Sequence, residues 1–173
     1  MTEAARLWLG WRAVRRLVAV RAPRPAAAAA DVRDVLVVLP TDETVLRAVW
    51  RLVDAIAARV VLVSAGDAVA FVPDAHAGAV VRTDALDWRG VPRPALRARL
   101  WTPGLDVAID LSTPGSLVGA ALVGGAPAGL RIGVAAPETA ACYDLALGAD
   151  TRDFAGALLD RLRQIRPPLV PLR

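Results

Sequence analysis

VLVVLP at residues 35–40 decides the fold. It is a continuous apolar run rich in β-branched valine. It lacks the in–out alternation of a strand with one wet face, so it reads as a strand buried on both faces. Two more runs of this kind follow, VVLVSA (60–65) and VAIDLS (107–112). AVVRT (79–83) and RIGVA (131–135) read as further strands, and YDLAL (143–147) as an edge strand. Helical signals lie between them. Thr41 or Asp42 is placed to cap a helix whose stripe is Val45, Val49, Leu52, Val53 and Ile56. Pro94 to Trp101 is a short helix with proline in its first turn. SLVGAALVG (116–124) is a helix with small residues on one side. Asp150 or Thr151 caps a last helix running to about Ile165, with Phe154, Leu158, Leu159 and Leu162 inward, and Pro167 and Pro168 stop it. AVAFVP (68–73) fits either a helix start or an extended piece. Strands alternating with helices of this length predict a mostly parallel sheet covered on both faces, a small Rossmann-like three-layer α/β sandwich.

An amphipathic basic helix precedes this body. Over residues 3–21, Leu7, Trp11, Val14 and Val18 recur on one face, with Arg12, Arg15, Arg16 and Trp8 beside it. Pro23 and Pro25 stop the helix, and alanines 26–30 make a linker. The reading is two segments, a helix with its linker over 1–30 and a Rossmann-like domain over 31–173.

The charge distribution follows the same division. The 173-residue chain carries 21 basic residues, all arginine, against 17 acids. Six arginines stand against Glu3 in residues 1–30, a net of +5. Residues 31–158 are net −4, and residues 159–173 are net +3. The chain has no lysine and 36 alanines, a bias that weakens total arginine content as a signal. What remains is an acidic body with two basic ends. Arg6, Trp8, Arg12, Arg15 and Arg16 are the candidate partner-binding residues, joined by Arg161, Arg163 and Arg166, which equally complement the dipole of the last helix. Arginines beside a tryptophan suit RNA phosphates and bases, or anionic lipid headgroups with tryptophan at the interface. The plain alternative is a helix that packs its apolar face on the body, on a second copy or on another protein.

Chemistry in an open parallel sheet gathers outside the carboxyl ends of the strands. Here those ends hold Thr41, Ser64, Ser112 and Ser116, the candidate small-ligand residues. The turn Ser112-Thr113-Pro114-Gly115-Ser116 offers hydroxyls, a glycine and a helix start, which serve either an anion or an ordinary cap. Asp42, Glu43 and Asp67 lie along the same edge and repel phosphate. There is no G-x-G-x-x-G, and without lysine there is no P-loop. GGAPAG (124–129) leads into a strand and reads as a helix stop. His76 is the single imidazole, and Ser116 is not on a G-x-S-x-G elbow, so no catalytic constellation is assigned. One cysteine, Cys142, reads as a small buried hydrophobe and excludes a disulfide framework. Together with a single histidine it excludes a zinc finger or iron–sulfur centre held by this chain alone, so no metal or cofactor is expected. No apolar run reaches the roughly 18 residues of a membrane span, and arginines interrupt any signal-peptide core, so the expectation is a cytoplasmic protein.

Two resemblances accompany this reading. Asp106-Val107-Ala108-Ile109-Asp110-Leu111 followed by Arg131-Ile132-Gly133 resembles the N-terminal half of heptosyltransferase-like glycosyltransferases, over about residues 33–135. The chain departs from that family in its Pro-Thr-Asp-Glu turn, which has no glycine, and in lacking the domain that binds the nucleotide sugar. The resemblance therefore implies architecture and a degenerate sugar-nucleotide-related enzyme or small-ligand binder. Asp87-Trp88-Arg89-Gly90, Thr102-Pro103-Gly104-Leu105-Asp106, Arg131-Ile132-Gly133 and Tyr143-Asp144-Leu145 are similar to features of an uncharacterised family of small bacterial proteins. That family has a basic N-terminal helix and a degenerate Rossmann-like body, which implies fold alone. The leading functional expectation is a non-catalytic protein that docks on an anionic partner, RNA or a ribonucleoprotein, through the first helix. A membrane-surface adaptor using the same helix is the second expectation, and the degenerate enzyme the third.

Overall fold

The computed structural model describes residues 1–21, 32–40, 46, 49, 59–65 and 77–148. The linker, Thr41, Asp42, Glu43, Asp67, the 68–73 segment, His76, the last helix and Arg161, Arg163 and Arg166 lie outside them. The described elements are α1 (Glu3–Val20), β1 (Asp34–Leu39), β2 (Arg59–Ala65), β3 (Ala77–Val81), α2 (Pro94–Leu100), β4 (Val107–Asp110), α3 (Leu117–Gly124), β5 (Leu130–Val134) and β6 (Leu145–Leu147). Leu46 and Val49 are also helical. Among the described residues six strands form one all-parallel sheet in the order β3-β2-β1-β4-β5-β6. The chain is a small Rossmann-like α/β sandwich, and its order reverses between β1 and β4.

The apolar strand runs divide by parity. Val35, Val37, Leu39, Val60, Leu62, Val107, Ile109 and Ile132 enter one core, where Val49 is fully buried. Leu36, Val38, Val63 and Ala108 enter the other, together with α1, α2 and α3. Successive residues of a strand point to opposite faces, so a strand covered on both must be apolar throughout. The pattern in the sequence has that cause.

The face carrying α3 is built in depth. α3 makes one α turn over Leu117–Gly119 and continues as a wider π-helix over Ala120–Gly124. Ala120, Ala121, Leu122 and Val123 are all fully buried. α3 lies between the sheet and α1, and every residue from Gly119 to Gly124 is buried. A helix stretch covered on every side is apolar all round, as Gly119–Gly124 is. Buried carbonyls at its end need donors, because a helix leaves its last C=O groups without partners. Trp101 Nε1 donates to the Leu122 carbonyl (2.9 Å), Arg21 to the Gly124 carbonyl (2.9 Å) and Arg131 Nε to the Ala126 carbonyl (2.9 Å). Gly124 and Gly125 close the helix, as GGAPAG predicts.

α1 lies on α3 in parallel. Gly10 meets Leu117 at the start of α3, while Leu17 and Val18 meet Gly125 and Gly124 at its end. A side chain at Gly10 would also press on the carbonyl of Arg89 (2.8 Å), so the close approach requires glycine there. Trp11 and Val14 are buried in the shared core. Leu7 differs from expectation. It stands on the same stripe but is 50% exposed, because the first residue of α1 that the body buries is Gly10, one turn later. The opening turns of α1 overhang the body. The beginning of the helix is secured locally, with the Thr2 hydroxyl accepting from the Ala5 amide (3.3 Å) and Glu3 in the first turn. No helix among the described residues is long and apolar enough to cross a membrane.

Candidate functional site

The carboxyl edge comes first, because the strand order reverses there. Asp110 is the last residue of β4 and is 3% exposed. Its carboxylate accepts from the Ser112 amide (3.0 Å), the Ser112 hydroxyl (2.5 Å) and the Tyr143 hydroxyl (2.6 Å). Two glycines make the space. Gly133 is the cross-strand partner of Asp110, and its missing side chain leaves the slot that the Tyr143 ring fills. Gly119 leaves room for the carboxylate itself. Burial pushes the Asp110 carboxyl above its ordinary range, against the pull of the bonds from Ser112 and Tyr143. The Tyr143 phenol is pushed up by burial first, then by the neighbouring Asp110 charge.

The predicted small-ligand residues separate in this frame. Ser112 is buried and donates to Asp110. Ser116 caps α3 by accepting from the Gly119 amide (3.1 Å). Ser64 pairs with Leu39 in register and shares its face, the face opposite Asp110. Ser112 and Ser116 thus share one turn, and Ser64 belongs to the other side of the sheet. The hydroxyls of Ser112 and Ser116 both complete the fold. Among the described residues no group of three or more His, Cys, Asp or Glu is placed to hold a metal ion.

An unfolded tyrosine titrates near pH 10, and Tyr143 in the fold holds its proton to higher pH. Above about pH 10 the unfolded state therefore releases the proton first, and folding stability falls as pH rises. Tyr143→Phe is expected to cost roughly 1–2 kcal/mol at neutral pH through the lost bond to Asp110. It is also expected to flatten the decline between pH 9 and 11. Urea denaturation across that range checks both effects.

A second polar cluster joins α1 to β5. Arg131 is 3% exposed on β5 and donates from Nη1 to Asp144 Oδ2 (2.8 Å), while the Arg131 amide donates to the same oxygen (2.9 Å). Arg21 follows α1 and approaches Asp144 Oδ1 (3.3 Å), with a further bond to the Cys142 carbonyl (3.0 Å). Cys142 is buried beside them, as expected of a small apolar side chain. Sequence reasoning did not single out Asp110, Arg21, Arg131 or Asp144. The available signal was a charged residue inside an otherwise apolar strand, as at Asp110 and Arg131.

The outer face of α1 is different in kind. Arg6, Arg12, Arg15 and Arg16 are exposed, and Trp8 is 58% exposed. Trp8, Arg12, Arg15 and Arg16 stand at helical spacing on the side away from Gly10 and Val14. The Arg12 guanidinium lies over the Trp8 ring, 5.6 Å from its centroid. Arg6 pairs with Glu3 at 3.8 Å, whereas Arg12, Arg15 and Arg16 have no ion pair among the described residues. The helix thus splits its residues, with the apolar stripe in the core and the cationic stripe in water.

Compared with protein-family models, curated proteins and solved structures, the chain shows no match to any of them.

Proposed function

We propose that this is a non-catalytic binding protein that docks on RNA, alone or within a ribonucleoprotein, through the outer face of α1. The observation that supports the reading is the row Arg12, Arg15 and Arg16, exposed and without a described ion pair, on a helix whose other face is held in the core. A row of guanidinium groups on a fixed support matches a row of phosphates, with each arginine available for paired hydrogen bonds. The same helix on a membrane is less well supported. An interfacial helix sinks its apolar face among the lipid chains, and here Trp11 and Val14 are already engaged with the body. A small-ligand role at the carboxyl edge has Ser112 and Ser116 occupied as internal donor and cap.

The test is the salt dependence of RNA binding by the full chain, read by fluorescence anisotropy, against an Arg12→Gln/Arg15→Gln/Arg16→Gln variant. Each released single-strand phosphate contact contributes about 0.7 to the slope of log K against log salt, so the variant is expected to lose roughly 2 from that slope. Circular dichroism should be unchanged, because all three side chains are exposed. Binding that ignores salt, or a slope equal in both proteins, overturns the reading.

A further inference from the structure

Trp8 is not where an apolar side chain is stabilised. It is 58% exposed and stands among the arginines of the outer face, away from the stripe that enters the core. Phosphate contacts alone do not require it. Arg12 covers the ring from one side at 5.6 Å, and the large exposure leaves ring surface open to solvent. Arg15 and Arg16 follow about 10–12 Å further along the helix at 1.5 Å per residue. An exposed indole at the head of a short row of guanidinium groups with no ion pair among the described residues offers a stacking surface and phosphate contacts in one line.

We infer that the outer face of α1 takes an unpaired RNA strand, with one base stacked on Trp8 and the adjoining phosphates on Arg12, Arg15 and Arg16. This rests on the RNA reading above and narrows it. In a duplex the bases are stacked on each other, and an A-form major groove is too deep and narrow for side chains to read. Trp8 then has no ring to meet. In a single strand every base has a free π-face, so the same tryptophan contributes whatever the sequence, and the arginine above it adds a cation–π contribution. The charge is complementary to a polyanion, and the aromatic component selects the unpaired form.

The experiment compares full-length protein with Trp8→Ala and Trp8→Phe, titrated against a single-stranded oligoadenylate 12-mer and a 12-base-pair RNA duplex. Trp8→Ala is expected to lose about tenfold in affinity for the single strand and to stay within twofold on the duplex, within the range of base–aromatic stacking. Trp8→Phe, which keeps a ring, is expected to recover most of the loss. Trp88→Ala tests a second tryptophan, 59% exposed and also carrying an arginine, Arg89, at 5.8 Å; it should bind as the parent does. Equal losses on both RNAs, no loss on the single strand, or an equal loss in Trp88→Ala overturns the inference. Of these, retained binding with unchanged arginine dependence leaves the RNA reading intact and removes only the stacked base. Absence of binding to either RNA overturns both. Trp8-dependent sedimentation with phosphatidylglycerol vesicles and no oligonucleotide binding transfers the face to a lipid surface and also overturns both.

Discussion

Asp144→Ala is expected to cost the fold about 3–5 kcal/mol, because it strands a buried cation. Asp144 itself is partly exposed, and its own desolvation is modest. The cost arises at Arg131, whose side chain is 4% exposed. With Asp144 gone, the guanidinium keeps the hydrogen bond from Nε to the Ala126 carbonyl, and its buried Nη2 already has no hydrogen-bond partner among the described residues. Arg21 loses its counter-charge at the same time. For a chain of this size the melting midpoint should fall by roughly 6–20 °C, at about 2–4 °C per kcal/mol. The distinguishing result is an inversion. Arg131→Met combined with Asp144→Ala should be more stable than Asp144→Ala alone, since the double change removes the charge that the single change leaves uncompensated. A double variant that melts no higher than the single one would refute this account.

Gly119→Ala is expected to be almost as damaging, against the usual helix preference. Gly119 has helical angles, φ −60 and ψ −50, so alanine fits the backbone without strain. In an open helix the change would stabilise by about 0.5–1 kcal/mol. Here the added methyl would run into both carboxylate oxygens of Asp110 and the Ser112 hydroxyl. Those atoms are held by Tyr143 and the Ser112 amide and cannot yield without breaking bonds. Overpacking with loss of a buried hydrogen bond suggests a cost of about 3 kcal/mol. Asp110→Ala in the same chain makes room for the methyl, so the double variant should cost less than the sum of the singles. Strict additivity in chemical denaturation would count against the steric cause.

The contrast between the two polar clusters and the strands shows what could be read in advance. Runs such as VLVVLP are local, and burial on both faces marks each residue in turn. The central strands β1 and β4 were legible for that reason, and the other four strands and the three described helices from patterns equally local, with shifts of a residue or two at their ends. The clusters are not local. Tyr143 meets Asp110 across 33 residues, and Arg21 meets Asp144 across 123. No spacing within a window encodes such a pair, although the quoted pieces hold Asp110, Arg131, Tyr143 and Asp144 separately. Ser64 and Ser112 look equivalent at strand ends. Only the register, with Ser64 beside Leu39 and Asp110 beside Val38, puts them on opposite faces. Leu7 has the right period for burial, but period cannot show where the body stops. The basic stripe was legible, since it depends on one helix alone.

The docking of α1 on α3 also sets an order in time. Arg21 closes on the Gly124 carbonyl across 103 residues, and on Cys142 and Asp144 further still. Translation at about 5–20 residues per second separates the two partners by roughly 5–20 s. Until α3 has been made, the nascent chain carries a cationic helix whose Trp11 and Val14 lack the helix that α1 is packed on in the fold, beside a ribosome rich in phosphate. α1 is made before the elements that seat it, and contacts so distant in sequence delay folding. The stripe that stays in water needs nothing made later, whereas the stripe that enters the core waits for α3.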